Sequence, residues 1–138
     1  MSAHELTETD VIENRTYDEI EVGEEAFIEK RLTVEDIKLF AVMSGDVNPA
    51  HVDEDFAKSS RFHEVIAHGM WGGALISSVL GTQLPGPGTV YLGQTLDFQA
   101  PVRLGDVLRV SVRAKQKDAK HHQITCACRC ENQRGDTA

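Results

Sequence analysis

The chain has 138 residues and a formal net charge of −8, with 41% hydrophobic and 26% charged residues. This size predicts one domain with a sizeable core. The negative charge argues against non-specific binding to nucleic acid or to an anionic membrane surface. No apolar run approaches the roughly 18 residues that span a bilayer, and the acidic N-terminus is unlike a secretory signal. We therefore expect a cytoplasmic protein in which residues 1–138 form one domain and residues 1–20 a partly irregular lead-in.

The first predicted elements are a strand and a helix. Alternating apolar residues around positions 26–32 predict the strand. Thr33 followed by Asp36 resembles a capping box, so the helix is expected to begin at Val34. Its apolar face continues as far as Ser44-Gly45, where a small polar residue and a glycine end the helix.

Two further helices are predicted in the middle of the chain. A short one is expected within Val52–Ser59, where acidic residues suit the positive N-terminal end. From Gly69 to Leu80 nearly every residue is small or apolar, which predicts a helix buried on all sides. Its glycines lower helix propensity, so another group is expected to approach its backbone closely. The pair Gly72-Gly73 is expected to widen an adjoining pocket.

The second half of the chain predicts three strands separated by turns. They cover Thr89–Gln99, Val107–Lys115 and His121–Glu131. One buried helix followed by long antiparallel strands predicts an α+β fold, in which the sheet wraps around the helix. This arrangement is the hot-dog architecture.

The three cysteines occupy alternate positions of the last predicted strand and therefore share one of its faces. Neighbouring positions on one strand have poor geometry for disulfides, and zinc sites usually take their ligands from separate turns. We expect free, reduced thiols that act as small apolar side chains. They are Cys126, Cys128 and Cys130.

One short stretch combines groups that can perform acid–base chemistry. Asp46-Val47-Asn48-Pro49-Ala50-His51 sets a carboxylate and an imidazole five residues apart across a turn stiffened by proline. Such a pair can move two protons, or hold one water molecule between two acceptors. A simpler interpretation stays open here, in which Asp46 makes only an Asx-turn with Asn48 and His51 is a surface residue.

A second segment favours the active-site interpretation. His68-Gly69 begins the apolar helix, seventeen residues after His51. The Gly69 amide would lie at the positive end of the helix dipole, where it suits a developing oxyanion. One good donor of this kind stabilises a transition state by about 3 kcal/mol.

Other chemistries fit the sequence less well. A metal site would recruit Asp46, His51, His63 and His68, but no pair has the helical HxxxH spacing, so no metal is expected. Nucleophilic catalysis usually needs a serine or cysteine on a sharp elbow, and no G-x-S-x-G is present. Covalent attack by Asp46 itself stays open as a minor alternative.

A strongly anionic substrate would gain nothing from the overall field of this negative chain and would need a local basic patch. Taken singly, each candidate cation is more simply a solvated surface charge. The candidates are Arg61, Arg103, Lys115 and Lys117.

The motifs and their order resemble the hydratase-2, or MaoC-like, group of (R)-specific enoyl-CoA hydratases. The resemblance runs from about Val22 to Gly135, and it implies a hot-dog fold, usually a homodimer, that binds acyl-CoA along a tunnel near the subunit interface. Members of this group continue past Gly135 with another apolar strand, so a final strand is expected to be missing after residue 135. The matching segments are Ser44–Asp53, Ile66–Met70, Leu84–Leu92, Phe98–Val102 and Gly105-Asp106.

The resemblance also implies roles for individual residues. Asp46 would be the catalytic acid and His51 the catalytic histidine, with the Gly69 amide as oxyanion donor. Ser77 would lie in the acyl pocket, although a helical serine can equally bond back to its own turn. Leu80 would limit the length of the acyl chain. The expected substrate-binding residues are Asn48, His68, Ser77 and Leu80.

The expected activity is the reversible, (R)-specific hydration of trans-2-enoyl-CoA to (R)-3-hydroxyacyl-CoA. Coenzyme A would be part of the substrate, and no metal or redox cofactor is expected. The expected assembly is a homodimer or a higher homo-oligomer. Two alternatives stay open from the sequence: an acyl-CoA thioesterase of the same fold, and a non-catalytic acyl-CoA-binding module.

Overall fold

The sheet is antiparallel, and its strands follow chain order. The computed structural model describes residues 15–138, and residues 1–14 of the predicted lead-in lie outside this part. Within it, β1 (Glu25–Arg31) pairs with β2 (Val107–Asp118), and β2 pairs with β3 (Gln123–Glu131). The chain is α+β, as predicted.

The core lies between the sheet and the longest helix, α4 (Gly69–Thr82). Leu108, Val110 and Val112 alternate along β2 and are completely buried. They belong to the same apolar cluster as Trp71 and Val79 of α4. Burial of each such side chain stabilises the fold by roughly 1.5–3 kcal/mol. The predicted inward face of this strand is therefore confirmed.

Helix α4 is buried on one side only in the isolated chain. Trp71, Ile76 and Val79 are buried, whereas Ala74 and Ser77 are exposed. The prediction of a helix buried all round is thus wrong for the isolated chain, because the three-stranded sheet covers only one face of the helix.

The first predicted helix is confirmed as α1 (Val34–Ser44). The Thr33 hydroxyl accepts a hydrogen bond from the Asp36 amide, and the Asp36 carboxylate accepts one from the Thr33 amide, which makes the predicted capping box. Gly45 ends the helix with φ 77°, a conformation that favours glycine.

The second predicted helix is divided in two. Pro49 occupies the first turn of α2 (Pro49–Val52), where its missing N–H costs no hydrogen bond. Asp53 interrupts the helix and caps α3 (Glu54–Ser59) by accepting a hydrogen bond from the Phe56 amide. One helix was predicted within Val52–Ser59, whereas the structure has α2 ending at Val52 and α3 covering Glu54–Ser59.

The predicted strand Thr89–Gln99 is wrong, because residues 89–99 form neither strand nor helix. A strand needs a neighbour that supplies ladder hydrogen bonds, and no described segment pairs with these residues. Their apolar side chains are left accessible, with Val90 and Leu92 74% and 70% exposed.

The chain turns back after β3. Gly135 donates a hydrogen bond to the Asn132 carbonyl, in the turn that follows the strand. Thr137 then forms a bridge with Glu131, and the Ala138 amide donates to the Cys130 carbonyl at 2.9 Å. Residues 137 and 138 thus begin an antiparallel pairing on the outer edge of β3.

Candidate active site

Asp46 follows the glycine that ends α1, and short-range hydrogen bonds shape its loop. The Asp46 amide donates to Ser44 Oγ at 3.1 Å, and Asp46 Oδ1 accepts from the Asn48 amide at 3.2 Å. The Asx-turn of the simpler interpretation is therefore present. It occupies only one carboxylate oxygen, and Asp46 is exposed, so Oδ2 remains accessible for chemistry.

Asn48 has a structural role in this loop. Its side-chain oxygen accepts a hydrogen bond from the Ala50 amide at 3.0 Å and so caps α2. Only its side-chain NH₂ group remains available to a ligand. The substrate-binding role stays a prediction for Asn48.

His51 lies on α2 with its ring turned towards the segment before α4. Its Nδ1 is 2.8 Å from the carbonyl oxygen of Ile66. A carbonyl can only accept, so Nδ1 carries the hydrogen and Nε2 has a free lone pair. In the opposite direction, the Ile66 amide donates to the Ala50 carbonyl at 3.4 Å. His51 is thereby oriented as a proton acceptor.

His68 is the residue before α4, and it is almost completely buried, with 3% of its surface exposed. Its Nε2 is 2.9 Å from the backbone carbonyl of Asp46 and must therefore donate. Its ring stacks on His51, with centroids 4.1 Å apart, and tilts against Phe40 at 4.7 Å. Its Nδ1 is buried without a hydrogen-bond partner among the described residues.

The structure brings Asp46, His51 and His68 together. One side-chain ligand atom of each lies within 4.8 Å of the others. A zinc ion lies about 2 Å from each imidazole nitrogen, in the direction of its lone pair. The two imidazoles are stacked with only 28° between their planes, so their lone pairs do not converge on one point. The cluster suits proton transfer better than metal ligation.

Gly69 begins α4 beside this cluster. As the first helical residue, its amide has no intrahelical acceptor. The ring of Phe98 approaches closely, and a Cβ at position 69 would lie 3.0 Å from Phe98 Cε1. This is one of the close approaches predicted from the glycines of the helix.

A groove-like cavity of about 1610 Å³ runs from His51 to the end of the chain. Leu80 lines it together with Gly72 and Gly73, and the role of Leu80 in limiting an acyl chain stays a prediction. Ser77 is exposed and does not line the cavity, because it lies on the outer face of α4. The geometry therefore lends no support to the prediction for Ser77.

Asp46 opens into a smaller cleft of about 440 Å³. His68, Gly69 and Phe98 line both this cleft and the large cavity. These three residues thus form the boundary between the space that reaches the carboxylate and the space that reaches His51.

The cysteines of β3 line the cavity and are free thiols, as predicted. Burial, followed by the neighbouring thiols of Cys126 and Cys130, raises the pKa of Cys128 to about 11. Burial also raises the pKa of the other two thiols. They remain protonated at neutral pH, which makes them poor nucleophiles.

Two of the four candidate cations are engaged by other groups. Arg103 pairs with Glu64 and donates to the Phe62 carbonyl, and Lys117 donates to the Ile20 carbonyl. Arg61 lies over the Phe62 ring and lines the cavity. Arg61 is therefore the best placed of the four to meet an anionic group of a ligand.

Sequence reasoning missed the contributions of Phe98 and Ile66. Phe98 was expected on a strand, and its approach to Gly69 depends on a distant contact that no local pattern reveals. Ile66 acts through its backbone carbonyl, so the identity of its side chain gives no signal. The glycine at position 69 was the one available hint of a close neighbour.

Three known proteins are similar to most of this chain. The (R)-specific enoyl-CoA hydratase of Rhodospirillum rubrum is 49% identical over 96 residues, which are 70% of this chain and 67% of the relative. The 3-hydroxybutyryl-CoA dehydratase of Methylorubrum extorquens is 43% identical over 114 residues, 83% of this chain and 73% of the relative. The unliganded R-hydratase PhaJ1 from Pseudomonas aeruginosa matches with a TM-score of 0.86 and 47% identity, over 91% of this chain and 80% of that one.

The fold is accordingly the hot-dog fold, with α4 packed against an antiparallel sheet. The sequence pattern of the MaoC like domain matches residues 18–133. The chain belongs to the MaoC-like domain family. Over residues 15–138, none of the helices has the length and apolar character needed to cross a bilayer.

Proposed function

We propose that this protein catalyses the reversible, (R)-specific addition of water to trans-2-enoyl-CoA, giving (R)-3-hydroxyacyl-CoA. The observation that carries the proposal is the proximity of the Asp46 carboxylate to His51, whose free Nε2 is fixed by the bond to Ile66. The names of relatives at 43% and 49% identity support the same reaction.

In the proposed reaction, Asp46 Oδ2 and His51 Nε2 accept hydrogen bonds from one water molecule. The pair removes a proton as the water oxygen bonds to C3 of the enoyl thioester, and the C2–C3 π electrons move towards the carbonyl. A proton from the same pair then reaches C2. One water is added across the double bond, and the two groups return to their starting protonation states. The two groups act as a coupled unit.

The enolate needs a hydrogen-bond donor while its charge is present. The Gly69 amide is proposed for this role, since it lacks an intrahelical acceptor and lies at the positive end of α4. Since the Phe98 ring adjoins Gly69, it would bound the space available to the thioester oxygen.

The large cavity supports a CoA thioester as the substrate. Its apolar wall at Leu80 and the glycine pair suits an acyl chain, and Arg61 suits a phosphate of coenzyme A. We further propose that the enzyme needs no metal or redox cofactor and works in the cytoplasm as a homodimer. Accessible apolar side chains such as Val42 (82%) and Met43 (72%) support an assembly that covers them.

Mixing the purified protein with crotonyl-CoA tests the proposal. We expect loss of enoyl absorbance and formation of the (R)-3-hydroxy product, with no release of free thiol. Release of thiol would instead identify a thioesterase. Thermal stabilisation by crotonyl-CoA without turnover would identify a binding module. An (S) product would contradict the assigned stereochemistry.

A further inference from the structure

His68 makes the long-range contact of the Asp46 loop. The other hydrogen bonds recorded for Asp46 go to Ser44 and Asn48, two residues away in each direction. The bond from His68 Nε2 to the Asp46 carbonyl joins positions 22 residues apart, and among the described residues no other hydrogen bond ties Asp46 to a distant part of the chain.

The same ring contacts the other parts of the site. One face stacks on His51 at 4.1 Å, and Phe40 of α1 lies against the ring at 4.7 Å. The next residue is Gly69, whose amide is the proposed oxyanion donor. The buried His68 ring therefore contacts the Asp46 loop and His51 directly, and the backbone of His68 leads straight into Gly69.

The tautomer of His68 follows from its partners. The Asp46 carbonyl can only accept, so Nε2 carries the hydrogen. A hydrogen on Nδ1 would be buried without an acceptor among the described residues. His68 thus offers one fixed donor, aimed at the Asp46 backbone.

We propose that His68 is a positioning residue, whose Nε2–H holds the Asp46 loop at the distance from His51 and Gly69 that the reaction requires. This inference rests on the proposed function, since it assigns reacting groups to the site. It is separate from the substrate-binding role expected from the sequence, which stays a prediction for His68. Asp46 is exposed, and its other recorded hydrogen bonds are local, so the bond from His68 is its link to the rest of the site.

Two substitutions distinguish the effect of the His68–Asp46 hydrogen bond from the effect of ring packing. His68→Phe keeps the aromatic contacts with His51 and Phe40 but removes the donor. His68→Gln places an amide nitrogen close to the former Nε2 and keeps the donor while losing the ring. His63→Asn is the control, because His63 is an exposed histidine that lines neither cavity, and asparagine tolerates its positive φ of 61°. If His68→Phe does not fold, His68→Asn replaces it, since its shorter amide does not reach the Asp46 carbonyl.

Steady-state kinetics and backbone dynamics then give independent readouts. Below the unfolding midpoint of every variant, His68→Phe should lower kcat for crotonyl-CoA by about 10- to 100-fold and leave KM within about twofold. In ligand-free protein, NMR order parameters of residues 46–48 should fall from about 0.85 to below about 0.6. His68→Gln should recover most of kcat and most of the loop order parameters, and His63→Asn should match the wild type.

An unchanged kcat or unchanged loop order in the variant lacking the donor would overturn the proposal. Equal impairment of His68→Gln and His68→Phe would also overturn it, because the donor would not be the decisive feature. If the wild-type protein shows no hydratase turnover, the proposed function fails. The order parameters then decide alone whether His68 holds the Asp46 loop.

Discussion

The ring of Phe98 lies over Gly69, so closely that a methyl group at position 69 would come within 3.0 Å of Phe98 Cε1 and 3.2 Å of Cζ. Phe98 is itself 60% exposed, and its ring has room to move away. The contact therefore limits the space around the Gly69 amide more than it supports the core.

Gly69→Ala should consequently change the free energy of unfolding by less than about 1 kcal/mol, since alanine favours the helix by about that amount over glycine and the Phe98 ring can shift. Urea denaturation measures this change, with Gly81→Ala as the control, because nothing lies within 4 Å of a Cβ at that helical position. A loss above about 2 kcal/mol would show that the Phe98 ring is held in place.

Asp46→Asn and His51→Ala should each lower kcat for crotonyl-CoA by about 10²–10⁴-fold, because each removes one of the two groups proposed to transfer the proton. The asparagine can still accept the hydrogen bond of the Asn48 amide, so stability should change little. Asp55→Asn, an exposed carboxylate on α3, is the matched control. Near-normal turnover in either variant would remove that residue from the mechanism.

If the acyl chain lies along Leu80 as proposed, Leu80→Ala should enlarge the cavity there and admit longer enoyl chains. The ratio of kcat/KM for an eight-carbon to a four-carbon enoyl-CoA measures this, and we expect it to rise by about 10-fold or more. Ser78→Ala, on the exposed side of α4, should leave the ratio unchanged. An unaltered ratio in the leucine variant would show that Leu80 does not limit the chain.

Arg61→Ala should raise KM for crotonyl-CoA by about 5- to 20-fold with little effect on kcat, as expected for a charge that binds the substrate away from its reacting atoms. The same substrate carried on pantetheine lacks the coenzyme phosphates, and its KM should be the same for wild type and variant. Equal effects on both substrates would point to a structural role for Arg61.

Alkaline conditions should weaken the folded state through the thiols of β3. The pKa of Cys128 is about 11 in the folded protein and 9.0 without the fold. Its protonated form therefore contributes stability that is fully present below pH 9 and is lost as the pH rises towards 11. The fall in unfolding free energy between pH 9 and 11 should be smaller in Cys128→Ala. Identical slopes would show that the thiol titrates normally.

The parts of the fold set by local pattern were predictable. The capping residues Thr33 and Asp36 were visible in the sequence, and the alternation of Leu108, Val110 and Val112 identified the buried face of β2. The segment 89–99 has the same alternation but no partner among the described residues. Pairing is a property of two segments, and apolar periodicity in one of them does not supply it.

The site shows the same division. The Asp46–His51 loop is a local motif and is visible in the sequence. Its proximity to the start of α4 is not local and was proposed from the family resemblance. The hydrogen bonds that orient His51 and His68 end on the main-chain carbonyls of Ile66 and Asp46. Every residue carries such a carbonyl, and no sequence pattern marks the two that are used.

Those two acceptors also bear on how the site withstands mutation. No side-chain replacement at position 66 removes the oxygen that orients His51, and the oxygen that receives the His68 hydrogen persists whatever side chain occupies position 46. Substitution at Ile66 therefore affects the packing and the cavity wall but leaves this acceptor in place. The hydrogen bonds that orient the two imidazoles can therefore stay the same when the side chains at positions 46 and 66 are substituted.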